Sequence, residues 1–138
     1  MLVEIPTSRV PHEWDTIRAV LSSAVKRDPK ANWLDMLGMG ITGQMRFWAA
    51  SGPVAGIVAV EVQRQPGTLR RALAVIYAGG LGNGNAMRRT MAEIEDWAAK
   101  LKCSEVRFEG RKGWQRVFPD YHADEGADGR MKYRKVIA

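Results

Sequence analysis

The sequence predicts an α+β chain, a single domain on a mostly antiparallel central sheet flanked by helices. Three observations predict it. Strand-like runs follow one another instead of alternating one by one with helices, which argues against a doubly wound parallel sheet. Two long apolar runs flank a tight turn in the middle of the chain, the pattern of a hairpin. Segments before and after them repeat apolar residues at helical spacing. The 138 residues suit one domain. At 46% hydrophobic, with five Trp and seven Met, the chain has enough apolar surface to offset chain entropy, so disorder is excluded.

Pro11 to Arg27 reads as an amphipathic helix, with Trp14, Ile17, Leu21 and Val25 on one stripe and Glu13, Asp15, Arg18 and Lys26 largely between them. Pro11 suits a first helical position and Asp28-Pro29 is a stop. A short second helix is expected over Ala31 to Leu37, ended by Gly38-Met39-Gly40. Gln44 to Ala50 reads as a strand, Ser51-Gly52-Pro53 as a turn and Val54 to Arg64 as the next strand. Val54, Gly56, Val58, Val60 and Val62 take one face of that strand, and Ala55, Ile57, Ala59 and Glu61 the other. A strand apolar on both faces is a central one, covered on each side. Gln65-Pro66-Gly67-Thr68 turns the chain, and Leu69 to Ala78 returns antiparallel.

A glycine-rich stretch, Ala78 to Asn85, then leads into a helix over Ala86 to Lys102, with Asn85 as its cap. Met87, Met91, Ile94, Ala98 and Leu101 form its apolar stripe, flanked by Trp97. Glu105 to Glu109 is a short strand with Val106 and Phe108 inward. Gly110 breaks it, and Gly113 to Phe118 makes one or two helical turns that Pro119 ends. His122 to Gly129 reads as a polar, acidic connection, and Arg130 to Ile137 as a last strand able to supply a sheet edge.

Several classes are excluded. A lone Cys103 rules out a disulfide framework, and with only His12 and His122 beside it no metal site is expected. Cys103 reads as a small buried hydrophobe. No apolar run approaches the roughly 20 residues of a membrane span. Met1 to Arg9 has no basic start followed by an apolar stretch, so a cytoplasmic location is expected. The net charge of +6 favours polyanionic partners without choosing among them.

A glycine-rich loop that ends in a helix N-terminus is suited to anions. Unpaired N–H groups converge there, the helix dipole favours negative charge, and missing side chains let phosphate reach the backbone. A P-loop needs Gly-Lys-Ser/Thr, which does not follow. The dinucleotide fingerprint needs a small residue where Met87 stands. What remains is a pyrophosphate cradle at Gly82-x-Gly84 supported by Arg88 and Arg89, set against the alternative of a plain tight connection.

This order of elements, with the loop Gly79-Gly80-Leu81-Gly82-Asn83-Gly84, resembles the GNAT superfamily of acyl-CoA-dependent N-acyltransferases. The superfamily's loop reads Gln/Arg-x-x-Gly-x-Gly/Ala, so the two later glycines match and Gly79 stands in place of Gln/Arg. Glu95-Asp96-Trp97-Ala98 through Gly110-Arg111-Lys112-Gly113-Trp114-Gln115-Arg116 is similar to small GNAT-like proteins of tailed bacteriophages and prophages. The resemblance implies acetyl-CoA or a related acyl-CoA, with the pantetheine chain near Ile76 and Tyr77. It puts the pyrophosphate on the N–H groups of Leu81, Gly82, Asn83, Gly84 and Asn85. An amine would attack the thioester directly, with the antiparallel strands splayed beside the second hairpin arm. Glu61 is the candidate base, a carboxylate on an apolar strand face where burial would raise its pKa. Tyr121 is the candidate acid, with Tyr77 behind it.

Two other functions compete. One is a GNAT-fold phage accessory or virion-associated protein without chemistry. The other is a nucleic-acid-binding module using the basic last third of the chain, where Arg111, Lys112, Trp114 and Arg116 form a substrate or partner patch. The amine acceptor, a protein partner in phage or host, and a homodimer are left open by the residues.

Overall fold

The computed structural model describes residues 1–50, 56–126 and 128–137. The turn expected at Ser51-Gly52-Pro53 and the first residues of the following strand, Val54 and Ala55, lie outside the described residues. The elements run β1 (Leu2–Ile5), a 3-10 turn (Thr7–Arg9), α1 (Trp14–Lys26), α2 (Trp33–Thr42), β2 (Met45–Ala50) and β3 (Ile57–Arg64). They continue with β4 (Arg71–Gly79), α3 (Gly84–Lys100), β5 (Glu105–Gly110), α4 (Trp114–Val117), β6 (His122–Glu125) and β7 (Met131–Val136). The seven strands lie in the order β1-β2-β3-β4-β5-β7-β6. Pairings β1–β2, β2–β3, β5–β7 and β6–β7 are antiparallel, and β4–β5 is parallel. This is the expected α+β class with a mostly antiparallel sheet.

The structure corrects four local expectations. The second helix does not stop at Gly38-Met39-Gly40 but continues to Thr42, and Gly43 ends it at φ +80°. Gly40 is there for packing, since a Cβ at that position would come within 2.9 Å of the Phe47 ring and 3.0 Å of Val10. The long helix is capped by Asn83, not Asn85: the Asn83 side chain accepts from the Ala86 N–H at 3.1 Å. Two strands were not legible. β1 is four residues long, and β6 carries charged, largely exposed residues at a sheet edge, so neither presents an alternating pattern. Finally, β7 sits between β5 and β6, so Arg130 to Ile137 is not a free edge.

The chain forms two compact units, Met1–Glu61 with Tyr77–Gly82, and Val62–Ile76 with Asn83–Ala138. In the first, α1 buries Ile17, Leu21 and Val25, and the Trp14 ring meets Phe47 edge-on at 5.9 Å. Ile57 to Val60 of β3 are all buried, which bears out a strand covered on both faces. In the second, α3 buries Met91, Ile94 and Ala98. Phe108 stacks on Tyr133 at 4.6 Å and meets Phe118 edge-on at 5.4 Å. The first unit holds six Lys/Arg and six Asp/Glu, the second fifteen and nine, so the second carries the whole surplus of +6.

Candidate functional site

The glycine loop is built by close backbone approaches. Gly80 and Gly82 take φ of +68° and +85°, a region costly for other residues, which swings the chain out of β4 toward α3. Leu81 between them is 8% exposed. A Cβ on Gly56 would come within 2.4 Å of the Leu81 side chain and 2.9 Å of the Gly79 and Gly80 carbonyl oxygens, so the loop rests on Gly56. Leu81 thus gives its side chain to packing and only its backbone to any ligand. Asn83 then caps α3, while the Asn85 side chain accepts from Arg88. The N–H groups of Gly82, Gly84 and Asn85 find no protein acceptor among the described residues. Arg88 and Arg89 are exposed in the first turns of α3. Within the second unit, the open amides of Gly84 and Asn85, the helix dipole and the two cations suit a phosphate group.

Gly79 departs from the family's pattern for a physical reason. A Cβ there would lie 2.2 Å from the Val20 carbonyl oxygen and 3.1 Å from its carbon, so the α1 backbone occupies the space of a side chain. Before the loop, the β4–β5 ladder ends at Val75–Phe108 while both strands run on. Ile76 is therefore past the paired stretch. The parting strands expected beside this arm are the parallel pair, not an antiparallel one.

Glu61 stands opposite Met45 in the β2–β3 register, at the point where β3 passes from buried to half-buried residues. It is half-buried, so its surroundings are wetter than its apolar neighbours suggest. Tyr77 is 9% exposed, and its Oη donates to Asp28 Oδ2 at 2.6 Å. Asp28 Oδ1 in turn accepts from the Lys30 N–H at 3.0 Å.

Tyr121 is held in a separate network. Its Oη donates to Glu95 Oε2 at 2.8 Å, and Lys135 Nζ donates to Glu95 Oε1 at 2.9 Å and Asp120 Oδ2 at 2.7 Å. Burial first, then the bond to Glu95 and the charges of Glu95 and Asp120, push the Tyr121 phenol far above its ordinary value. A phenol so raised is a poor proton donor while that bond lasts. The bond to Lys135 holds the Asp120 carboxyl below its usual range, and the bonds to Asp120 and Glu95 hold Lys135 above its own.

This network sets a pH dependence. The Asp120 share of stability is present above the ordinary carboxyl value of about 3.9 and is lost as pH falls through the lowered one. The Lys135 share is present below about 10.4 and is lost as pH rises through the raised value. Lys135→Met is expected to cost about 1–2 kcal/mol at neutral pH, between exposed and buried pairs. Melting curves of both proteins across pH check it: the gap should narrow below about pH 4. A gap unchanged there would refute the linkage.

Arg111, Lys112 and Arg116 are exposed and Trp114 is half-buried. Arg111 and Lys112 lie on the turn after β5, and Trp114 and Arg116 on α4. Of the residues that organise these sites, sequence reasoning missed Asp28, Glu95, Lys135, Tyr133 and Gly56. Their only sequence signal was residue type, a polar side chain or a glycine, which names no partner.

No metal-binding cluster of His, Cys, Asp or Glu occurs among the described residues, and no helix there is long and apolar enough to cross a membrane. Neither a protein-family model nor a curated sequence matches the chain. Solved structures do. The aminoglycoside 6'-N-acetyltransferase from Enterococcus faecium superposes with TM-score 0.71 at 10% identity, covering 100% of this chain and 97% of that one. A protein from Salmonella typhimurium, assigned to the acetyltransferases and solved with its cofactor acetyl-CoA, gives 0.69 at 10% identity over 100% and 94%. A GNAT-family acetyltransferase from Listeria monocytogenes gives 0.60 at 10% identity over 99% and 94%. The chain shares the fold of these acetyltransferases.

Proposed function

We propose that the chain is an acyl-CoA-dependent N-acyltransferase, moving an acyl group, acetyl in the simplest case, from a thioester directly to an amine. The glycine loop carries this assignment: it joins a strand to the start of a 17-residue helix with open amides at Gly82, Gly84 and Asn85 and cations at Arg88 and Arg89. The fold shared with acetyltransferases, one of them solved with acetyl-CoA, supports it.

Bound acyl-CoA would supply an activated acyl carbon on a thiol leaving group. The amides of Leu81 to Asn85 would donate to the pyrophosphate, Arg88 and Arg89 would neutralise its charge, and the backbone of Ile76 and Tyr77 would align the pantetheine chain. Glu61 takes the proton that the amine nitrogen loses as its bond to the acyl carbon forms. Tyr121 or Tyr77 would supply the proton that the departing thiol sulfur needs, and either hydroxyl must first leave its carboxylate.

That last requirement favours a second reading, a GNAT-fold binding protein without chemistry, because both candidate acids are engaged with carboxylates. Under the second reading we propose a phage or prophage accessory protein acting in the host cytoplasm, with virion association and a protein partner, on the sequence resemblance alone. Calorimetric titration with acetyl-CoA tests the first. Saturable binding is expected, weakened at least about tenfold in Arg88→Ala/Arg89→Ala, since each charged hydrogen bond contributes about 1.5–3 kcal/mol. Absence of heat at millimolar acetyl-CoA would reject the cofactor and with it the enzyme.

A further inference from the structure

The cofactor reading accounts for Arg88 and Arg89 and leaves the patch after β5 without a ligand. Three exposed cations, Arg111, Lys112 and Arg116, flank the half-buried Trp114 along the chain there. No carboxylate occurs from Gly110 to Pro119, and no ion pair holds any of the three among the described residues. The unit that carries them also holds the whole positive surplus of the chain.

The patch is rigidly presented. The Tyr133 hydroxyl, on a side chain 1% exposed, donates to the Arg111 carbonyl and, at 3.3 Å, to the Lys112 carbonyl. The N–H groups of Trp114 and Gln115 return to the same two carbonyls at 3.2 Å each. Gly110 lets the indole lie against the strand end, because a Cβ there would come within 2.7 Å of Trp114 Cδ1. The Trp114 ring also lies 6.0 Å from the Phe118 ring, tilted by 32°, and what these two contacts leave uncovered keeps the residue half-buried. A buried tyrosine that anchors the backbone of an exposed, unpaired cationic turn lowers the ordering cost of binding.

We propose that Arg111, Lys112, Trp114 and Arg116 form a docking surface for single-stranded nucleic acid, with the cations on phosphates and the indole stacked on a base. Charge complementarity selects a polyanion, and the indole selects one that carries planar rings. The affinity expected of this surface rests on phosphate contacts and stacking, which every base sequence offers. It is independent of acyl transfer.

Fluorescence anisotropy of labelled oligo-dT at salt from about 50 to 200 mM tests the proposal. Binding should weaken with salt, with a logarithmic slope near −2, from about 0.7 per phosphate neutralised by three cations. Arg111→Ala/Lys112→Ala/Arg116→Ala, all at exposed positions, should abolish most of that slope. Trp114→Leu should weaken binding about fivefold or more and Trp114→Phe should restore much of it. Circular dichroism of each variant keeps folding defects apart from binding defects. No binding at the lowest salt, equal binding by the charge variant, or equal displacement by inorganic polyphosphate would overturn the proposal. Displacement by saturating CoA would also overturn it, assigning the patch to the cofactor.

Discussion

Gly79→Gln, which would complete the Gln/Arg-x-x-Gly-x-Gly pattern, is expected to destabilise the protein by about 3 kcal/mol or more and to lower acetyl-CoA binding with it. The side chain would begin 2.2 Å from the carbonyl oxygen of Val20, in the middle of α1. A backbone group held in a helix cannot step aside as a flexible side chain can. Either α1 lifts from the strand end, exposing neighbours such as the fully buried Leu21, or β4 shifts and carries Gly80 and Gly82 with it. Gly79→Ala separates the causes, since it adds only the Cβ and should cost about as much as Gln. Chemical denaturation of both variants decides the matter. Wild-type stability in Gly79→Gln would show that the approach of α1 is not what excludes a side chain here.

The second large effect concerns chemistry. Glu61→Gln is expected to lower turnover by about 10²- to 10⁴-fold, the usual contribution of a positioned general base, with little change in acetyl-CoA affinity. The substitution keeps the size of the side chain beside Met45 and removes only its capacity to accept a proton. Half-burial makes the stability change small, so a fall in turnover reports chemistry. Unchanged turnover would remove Glu61 as base. Tyr121→Phe is the informative comparison. A fall comparable to that of Glu61→Gln would make Tyr121 the acid. A loss of stability with turnover kept within a few-fold would leave it as the tether that joins Glu95 to the turn after α4.

The backbone layout was largely legible. Helical spacing of Trp14, Ile17, Leu21 and Val25 and of Met91, Ile94 and Ala98 marks buried stripes, and burial follows those stripes in α1 and α3. The double-sided apolar run in β3 announces a central strand, and its buried residues lie on both faces. The glycine loop stood out because local chain geometry alone demands glycine at Gly80 and Gly82. Illegible elements were those whose residues obey a neighbour instead of a period. Gly40 breaks no helix because Phe47 packs onto it, and β6 is a strand because β7 offers it a partner.

The sequence by itself determined the fold class, the order of the main elements and the loop that could hold an anion, because each rests on near neighbours in the chain. Only the tertiary structure decided which polar groups are committed. Tyr77 meets Asp28 from 49 residues away, and Lys135 reaches Glu95 across 40. It also decided that Gly79 has no room for a side chain and that the whole positive surplus falls in one unit. Hydrogen bonds and steric exclusion act between atoms that folding brings together, and no local pattern encodes which distant partner will arrive.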